Sequence, residues 1–190
     1  MDSSELRSQL ENYQRESYGW ALCCCSRDAA EAENVLQAAY LKILEGKARF
    51  DGRAAFKTWL FSVIRKTAAD ARRRTFFRRL KLTVYARGAG RGAREESPDE
   101  TIYQSEIRGL FRRALAALPK RQAEVLQLVF YHDLSLSEAA EVMCVSVGSA
   151  RTHYERGKGR LRKLLAESRA FDEPGRERNT PTVPRAEAGG

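Results

Sequence analysis

Basic side chains gather on one segment near the C-terminal end, and their chemistry is the binding of phosphate groups. Six of them lie within residues 151–163: Arg151, Arg156, Lys158, Arg160, Arg162 and Lys163. Glu155 is the single acid in that range, and such cations neutralise backbone phosphates and release their counterions. The sequence shows no glycine-rich phosphate loop, no GxSxG or HExxH motif and no carboxylate pair suited to acid–base work. It therefore indicates nucleic-acid binding rather than an enzyme, and we expect no cofactor.

The residues just before this segment predict the element that positions it. Ser135 stands three residues before Glu138, which is the spacing of a capping box. A short helix would follow, Cys144 and Val145 would turn the chain, and Ser146 would cap a second helix. A short helix, a tight turn and a longer basic helix form the helix-turn-helix arrangement, whose second helix enters the major groove of DNA.

A second basic segment lies in the N-terminal half of the chain. The pattern predicts a helix from Ala54 to about Arg79 with Phe56 and Trp59 at core spacing. Beyond them Asp70 is the only acid among seven basic residues: Arg65, Lys66, Arg72, Arg73, Arg74, Arg78 and Arg79. So many like charges on one helix would repel each other without a counter-charge. Because aromatic rings stack on unpaired bases while guanidinium groups follow phosphates, this helix suits single-stranded DNA, although we interpret Phe56 as a core residue.

The overall composition agrees with a nucleic-acid partner. The chain has 190 residues, a formal net charge of +9 and an isoelectric point near 9.6, which favours a polyanion. It contains no apolar stretch long enough to span a bilayer, and its first twenty residues include four acids and no signal-peptide pattern. The expected location is therefore the cytoplasm.

The four cysteines are not expected to form a disulfide framework in that compartment. Cys23, Cys24 and Cys25 are consecutive, so on a helix they would point about 100° apart and could not share one metal ion. Cys144 stands alone in the second half, and no CxxC spacing occurs. The pattern favours small buried or half-buried thiols over a zinc or redox site.

The expected fold is all-α, with two small helical domains joined by a flexible linker. Apolar residues recur at helical spacing before the linker and after it, and the second domain contains the helix-turn-helix. Glycines, a proline and a switch from basic to acidic residues mark the linker itself. We place the first domain at 1–80, the linker at 81–104, the second domain at 105–168 and a disordered tail at 169–190.

With both halves considered, the chain resembles an extracytoplasmic-function sigma factor, a two-domain member of the sigma-70 family and an initiation subunit of bacterial RNA polymerase. The resemblance runs from about Leu10 to Ser168. Its most specific parts are FKTWLFSVIRKTAADARRR, from Phe56 to Arg74, and the segment from Leu118 to Leu165 that contains the helix-turn-helix. The helix EAENVLQAAYLKIL, at 31–44, is similar to the polymerase-binding segment of that family.

This resemblance implies that different helices bind different partners. Five residues would dock on core RNA polymerase: Glu31, Glu33, Asn34, Gln37 and Tyr40. Six residues would recognise and help to melt the minus-ten promoter element: Trp59, Arg65, Lys66, Asp70, Arg72 and Arg73. Five residues would face the minus-thirty-five element of promoter DNA: Ser149, Arg151, Thr152, His153 and Arg156. The resemblance also implies a cognate anti-sigma factor as a partner.

Several positions differ from the family pattern. Lys66 stands where the family usually has asparagine, and Asn34 and Ala38 replace acids on the polymerase-binding helix. Cys144 occupies a turn position usually held by glycine, where a left-handed conformation would cost about 1 kcal/mol or more, so we expect the turn to be re-formed. Two glycines inside the final helix, at 157 and 159, would each cost roughly 1 kcal/mol against alanine and favour fraying.

Two other classes of protein fit parts of the sequence. The segment SARTHYERGKGRL is similar to the recognition helix of quorum-response regulators, which bind double-stranded operators as dimers. A helical RNA-binding adaptor would explain the charge but not the capped turn. The N-terminal half distinguishes a sigma factor from the regulator. A sensing domain should show strands or an apolar pocket, whereas residues 4–79 are predicted to be helical and to end in a basic helix that carries aromatic residues.

Overall fold

The computed structural model of the chain describes residues 2–83, 109, 111 and 113–171. Within these residues all regular secondary structure is helical, which confirms the expected all-α class. The helices are α1 (Ser3–Asn12), α2 (Gln14–Cys24), α3 (Ala29–Leu44), α4 (Phe56–Thr83), α5 (Lys120–Phe130), α6 (Leu136–Met143) and α7 (Val147–Phe171). Residues 113–116 are also helical. Helix α4 continues to Thr83, past the expected start of the linker, and most of the linker and tail lies outside the described residues.

Local side-chain chemistry sets several of the helix ends. The Asp28 carboxylate accepts a hydrogen bond from the Glu31 backbone N–H at 2.9 Å and caps α3. Gly46 follows the end of α3 at φ +71, a left-handed conformation that glycine adopts without strain. The apolar pattern before α3 predicts one helix, but the chain forms two, α1 and α2, separated by a turn at Tyr13.

Helices α1 to α4 pack around a core centred on α2 and α4. Trp20 is fully buried, stacks on Phe61 at a centroid distance of 5.8 Å and donates a hydrogen bond from Nε1 to the Phe61 carbonyl at 3.0 Å. Leu60 and Ile64 complete the buried stripe of α4, while Val35 faces them from α3. This packing fixes the rotation of α4 about its axis, and hence which of its basic residues face solvent.

The helix-turn-helix forms as expected from its caps. The Ser135 backbone N–H donates to the Glu138 carboxylate at 2.9 Å, and the Glu138 N–H donates to the Ser135 hydroxyl at 3.2 Å. The Ser135 hydroxyl also donates to this carboxylate, and these bonds hold the pKa of Glu138 below its usual value. Ser146 caps α7 by accepting from the Ser149 N–H at 3.1 Å.

The turn between α6 and α7 keeps the left-handed geometry that the family pattern assigns to glycine. Cys144 has φ 52 and ψ 51, so the expectation of a re-formed turn is wrong. The reason is that the turn is held from both sides: the Cys144 N–H bonds the Glu141 carbonyl at 3.1 Å and the Val145 N–H bonds the Ala140 carbonyl at 3.0 Å. The turn therefore keeps its backbone hydrogen bonds, and Cys144 adopts the unfavourable left-handed conformation that they require.

The two halves of the chain pack directly against each other. Residues of α2 and α4 share one buried cluster with residues of α5 and α6, including Val125 and Leu128. His132, between α5 and α6, lies edge-on to Phe61 at 4.7 Å and to Trp20 at 6.1 Å between ring centroids. The sequence pattern predicts two domains but not this shared core, because periodicity shows which face of a helix is apolar and not which helix covers it.

Gly157 has a packing role that the sequence pattern does not reveal. A Cβ at this position would lie 3.1 Å from Leu126 Cδ1 and 3.3 Å from Gln122 Cβ, so glycine lets α7 approach α5 closely. A Cβ at Gly159 would meet nothing within 4 Å. At Gly157 this close approach offsets the cost in helix propensity, whereas at Gly159 the cost has no such compensation.

Among the residues that the structure describes, no helix is both long enough and apolar enough to cross a membrane.

Candidate nucleic-acid interface

Helix α7 presents most of its predicted recognition residues to solvent. Ser149, Arg151, Thr152 and Arg156 are exposed and His153 is half-buried, while Ala150 and Leu161 are buried against the rest of the second domain. Thr152 donates from Oγ1 to the Gly148 carbonyl at 3.0 Å, which orients its side chain along the helix. The five residues therefore lie within the first three turns of α7.

The positive charge of this surface is largely uncompensated. Glu155 is 3.2 Å from Lys158, which also lies 4.7 Å from the centre of the Tyr154 ring. Within the described part of the chain, Arg151 and Arg156 form no ion pair or hydrogen bond with another side chain. Their guanidinium groups are therefore available to phosphates or to base edges in the major groove.

Helix α4 divides its predicted minus-ten residues between two faces. Lys66, Asp70 and Arg73, spaced four and three residues apart, share the outward face. Asp70 lies 3.6 Å from Lys42 of α3, so this acid is tied to the neighbouring helix. Trp59 is half-buried against Phe50 and Phe56, with both centroid distances at 5.3 Å. Phe56 belongs to this aromatic cluster, in agreement with its interpretation as a packing residue.

Arg65 lies on a different side of α4 from these residues, in the contact between the domains, and it is half-buried rather than exposed. Its Nη2 lies 3.2 Å and its Nε 3.3 Å from Glu124 Oε2. The Arg65 side chain is only 14% exposed and that of Glu124 only 1%. Seven residues earlier on the same face, Thr58 donates to Glu138 at 3.4 Å. A buried carboxylate needs a cationic partner, so Glu124 holds Arg65 in the contact between the domains.

Arg72 is exposed, but its side chain reaches the edge of the same contact between the domains. Its Nη1 lies 3.5 Å from the Cys24 carbonyl, and Lys120 Nζ of α5 donates to that carbonyl at 2.9 Å. The C-terminal end of α2 carries partial negative charge, so both cations stabilise it. Arg72 therefore lies at the edge of the outward basic surface, whereas Arg73 lies on it.

The outward face of α3 carries most of the predicted polymerase-binding residues. Glu33, Asn34 and Gln37 are exposed and Glu31 is half-buried. Tyr40 differs, because its hydroxyl donates to the Leu10 carbonyl at 3.3 Å and burial raises its pKa. The structure thus assigns Tyr40 to the packing of α3 on α1.

Two leucines on this face were missed by sequence reasoning. Leu41 is 56% exposed and Leu44 is 48% exposed, although Leu44 reads as part of the apolar stripe of α3. The available signal is spacing, since residues 33, 37, 41 and 44 follow one another along one side of a helix. The outward face of α3 therefore combines acidic and amide groups with an apolar end.

The cysteine triplet lies at the contact between the halves as packed thiols. Cys24 and Cys25 are buried and Cys23 is half-buried, in agreement with the sequence interpretation, whereas Cys144 is exposed. Burial raises the pKa of Cys23 and of Cys25 to about 12. These two thiols are therefore protonated at neutral pH and poor nucleophiles.

Comparison with protein families matches both halves of the chain. Residues 10–76 match the family described as Sigma-70 region 2, and residues 108–161 match the family described as Sigma-70, region 4. The first match contains α2, α3 and most of α4, and the second contains the helix-turn-helix. The two basic helices thus lie in separate, independently recognised segments.

Similar proteins are known from several bacteria. The chain is 31% identical over 160 residues to the ECF RNA polymerase sigma factor SigX of Bacillus subtilis, covering 81% of this chain and 82% of that protein. It is 30% identical over 144 residues to the RNA polymerase sigma-H factor of Pseudomonas aeruginosa, covering 73% and 75% of the two chains.

Solved structures show the same fold. The sigma factor RpoE from Bartonella quintana, solved with the anti-sigma factor NepR, superposes with a TM-score of 0.65 at 20% identity and covers 85% of this chain and 97% of its own. CnrH, solved with the cytosolic domain of CnrY, gives a TM-score of 0.58 at 18% identity and covers 87% and 90%. From the two family matches and the identity to SigX, the chain belongs to the extracytoplasmic-function sigma factors of the sigma-70 family, which direct promoter-specific initiation by RNA polymerase.

Proposed function

We propose that this sigma factor docks on core RNA polymerase through the outward face of α3, reads the minus-ten element with α4 and reads the minus-thirty-five element with α7. The observation that carries the proposal is the presence of two basic helices, one in each family segment, each with exposed guanidinium groups that lack internal partners among the described contacts. Arg73 represents the first helix and Arg151 with Arg156 the second. Each helix therefore presents uncompensated positive charge that is available to DNA.

At the minus-thirty-five element, α7 would lie with its first three turns in the major groove. Arg151 and Arg156 would contact guanine edges or phosphates, since a guanidinium group can make two parallel hydrogen bonds to either. Thr152 and His153 would contact base edges, and Ser149, beside the helix N-terminus, would lie near a phosphate. The Ser146 cap and the hydrogen bonds of the Cys144 turn support this by fixing the first turn of α7.

At the minus-ten element, the outward face of α4 would carry the contacts. Lys66 and Arg73 would bind the DNA, and Trp59, packed at the start of the helix, would position or stack on a base. Asp70 would act through its pairing with Lys42, which limits its repulsion of phosphates. We assign Arg65 a positioning role through Glu124 rather than a DNA contact, and we leave Arg72 at the edge of the surface.

Docking on the polymerase would use Glu31, Glu33, Asn34 and Gln37 together with the exposed leucines at 41 and 44. Charged and amide groups would give orientation, and apolar groups buried on docking would give affinity. Tyr40 would support this face from beneath through its bond to Leu10. In this role the sigma factor itself performs no chemistry, because RNA synthesis belongs to the polymerase.

The similarity to RpoE and CnrH suggests a regulatory partner. Both of those proteins were solved in complexes, RpoE with the anti-sigma factor NepR and CnrH with the cytosolic domain of CnrY. We extend this to the present chain as a proposed anti-sigma factor partner. We also place its action in the bacterial cytoplasm, where the polymerase and the chromosome are located.

Promoter binding with and without core polymerase tests the proposal. The labelled promoter fragment is one selected from genomic DNA for transcription by the reconstituted polymerase. The full chain should bind this fragment specifically only when core polymerase is present. Specific binding by the chain alone, as a dimer on double-stranded DNA, would instead support the quorum-response regulator. That alternative is not favoured, because residues 10–76 match Sigma-70 region 2 and not a sensing domain.

A further inference from the structure

The imidazole ring of His132 belongs to the second half of the chain but packs against the core of the first half. His132 is 5% exposed and lies between α5 and α6. Its ring is edge-on to Phe61 of α4 and Trp20 of α2, at 4.7 and 6.1 Å between centroids. A Cβ at Gly19 of α2 would lie 3.9 Å from His132 Cε1, so the ring also lies close to the α2 backbone. The ring therefore keeps these surroundings only while the two halves are in contact.

Neither ring nitrogen of His132 has a hydrogen-bond partner among the residues that the structure describes. Nδ1 lies 3.9 Å from Glu16 Oε2, which is beyond hydrogen-bond reach, and this carboxylate is already paired with Lys57 of α4. A neutral imidazole places no net charge here. An imidazolium would add a second cation near Lys57 and two N–H donors without acceptors. The site therefore accepts the neutral ring and disfavours the protonated one.

The other charged groups around the ring do not offset such a charge. Asp133, the next residue in the chain, is exposed, so solvent screens its attraction. Glu138 of α6 is hydrogen-bonded within its own capping box and to Thr58 of α4. In agreement with this geometry, burial, and next to it the charge of Lys57, lowers the pKa of His132 to about 4.

The contact between the halves also holds the two basic helices too close together for both promoter elements. Thr58 Oγ1 lies 3.4 Å from Glu138 Oε1, and only the end of α6, a turn and the start of α7 separate Glu138 from Ser149. At about 1.5 Å per helical residue and at most about 3.6 Å per turn residue, Trp59 and Ser149 lie within about 45 Å of each other. Minus-ten and minus-thirty-five elements are about 25 base pairs apart, or about 85 Å at about 3.4 Å per base pair. The halves must therefore separate before both helices can read their elements.

We propose that protonation of His132 releases the contact between the halves, so that mild acid shifts the chain from a closed form to an open form. In the open form the imidazolium lies in water, where both of its N–H groups find acceptors. The open form binds the proton more readily than the closed form, so it is favoured as the pH falls. The opening concerns the chain alone, and only its consequence for promoter binding rests on the proposed function.

The size of the shift follows from the proton affinities of the two forms. The pKa of His132 is about 4 in the closed form, and an exposed histidine in the open form has a pKa of about 6.5. Between pH 7.0 and pH 5.5 the closed form stays neutral while the open form gains a proton. The ratio of open to closed chains should therefore rise about eightfold over this range.

The thiol of Cys24 reports the opening in the full chain. Cys24 is 1% exposed and lies near Glu124 of α5, whereas Cys144 is exposed. All proteins compared carry Cys23→Ala and Cys25→Ala, so that a single thiol remains at the end of α2. Dithiodipyridine, which modifies thiols in mild acid, is added, and both modified peptides are followed by mass spectrometry. Dividing the Cys24 rate by the Cys144 rate in the same sample corrects for the pH dependence of thiol chemistry.

The corrected Cys24 rate should rise about eightfold from pH 7.0 to pH 5.5 when His132 is present. His132→Phe is the matched control, because it keeps a planar ring that does not titrate, and its rate should change by less than about twofold. His132→Leu should behave in the same way, so a packing defect of one side chain does not decide the result. An equal rise in all three proteins, or no rise with His132 present, would overturn the proton switch.

Urea distinguishes separation of the halves from unfolding. Loss of one contact exposes far less surface than unfolding of the chain, so the Cys24 rate should depend only weakly on urea up to about 1 M. A steep dependence, or loss of helical circular dichroism between pH 7.0 and pH 5.5, would overturn the open form.

Holoenzyme experiments separate this inference from the proposed function. Specific promoter binding by wild-type holoenzyme, together with a Cys24 rate that ignores pH, overturns the proton switch alone. Failure of the holoenzyme to bind any promoter, together with an eightfold rise in the Cys24 rate, overturns the proposed function and supports the proton switch.

Discussion

At the scale of single residues, conformational strain and close packing account for details that family patterns leave open. Cys144 adopts a left-handed conformation in which its Cβ is unfavourable, yet the turn is kept because its backbone hydrogen bonds are formed. A Cβ at Gly157 would be tightly packed against Leu126, whereas a Cβ at Gly159 would meet nothing within 4 Å. Small energies at such positions sum to a sizeable part of the stability of a small domain.

Cys144→Gly should stabilise the protein by about 1 kcal/mol, because glycine carries no penalty in the left-handed region. This would raise the melting temperature by roughly 2–4 °C for a chain of this size. Thermal unfolding followed by circular dichroism measures the change. Cys144→Ala, which removes the thiol but keeps the Cβ, is the control and should show no such gain. An equal rise in both variants would trace the effect to the thiol instead.

Gly157→Ala and Gly159→Ala should change stability in opposite directions although both replace a glycine in α7. Gly159→Ala should gain about 1 kcal/mol from helix propensity, because its Cβ would meet open space. Gly157→Ala should lose stability, because its Cβ would press on Leu126 at 3.1 Å and overpacking costs about 1–3 kcal/mol. Denaturant unfolding of the two variants measures the difference. Equal gains in both would show that α5 and α7 do not approach as described.

At the scale of whole elements, the caps and packing of a helix determine which of its charges reach DNA. Helix α7 turns Ala150 and Leu161 inward and so presents Arg151 and Arg156 outward. One face of helix α4 packs on the second domain and another faces solvent. Residues that are adjacent in sequence, such as Arg65 and Lys66, therefore lie in different environments. The same argument separates Tyr40 from the exposed residues of α3. Site residues on a helix are therefore best predicted by asking which residues share one face of the helix, and not by taking every residue of a continuous segment.

Arg151→Ala combined with Arg156→Ala should abolish promoter-specific initiation while leaving polymerase binding intact. Each lost guanidinium contact with a base or phosphate costs roughly 1–3 kcal/mol, so the pair should weaken promoter binding by holoenzyme at least about thirtyfold. Run-off transcription and co-purification with core polymerase measure the two effects. Arg160→Ala with Arg162→Ala removes the same charge farther along α7 and should have a smaller effect. Loss of polymerase binding in the first variant would contradict the assignment of α7.

At the scale of the whole molecule, the contact between the two halves is built from buried polar groups as well as apolar ones. Glu124 is enclosed and lies 3.2 Å from Arg65 and 3.8 Å from Arg121, and removing one partner of a buried ion pair typically costs about 3–5 kcal/mol. Lys57 pairs with Glu16 beside His132, and Gln127 donates to the Gly19 carbonyl at 3.2 Å. The two halves therefore meet in a specific arrangement that also withholds Arg65 from solvent.

This contact should make stability depend on pH through His132. Burial, and next to it the charge of Lys57, lowers the pKa of His132 to about 4. The unfolded chain, with an ordinary histidine pKa of about 6.5, then binds the proton more readily than the folded chain between these two values. Stability from this group is complete above pH about 6.5 and is lost as the pH falls toward 4, by about 3 kcal/mol in all.

Melting temperatures measured from pH 7 to pH 4.5 test this dependence. His132→Leu removes the titrating group while keeping an apolar side chain, so its melting temperature should fall less steeply over that range. Parallel curves for the two proteins would contradict the buried, neutral state of His132.

The sequence by itself indicated the family, through its resemblance to known sigma factors, and it determined the helical class, the capped helix-turn-helix and the two basic helices. The last three follow from local rules, since apolar period, cap spacing and charge are properties of neighbouring residues along the chain. The tertiary structure alone decided that Arg65 and His132 lie in the contact between the halves, that Tyr40 supports α3 from beneath and that Gly157 admits a neighbouring helix. Such outcomes depend on which surfaces meet across distant parts of the chain, and burial against a partner face leaves no periodic signal in the sequence.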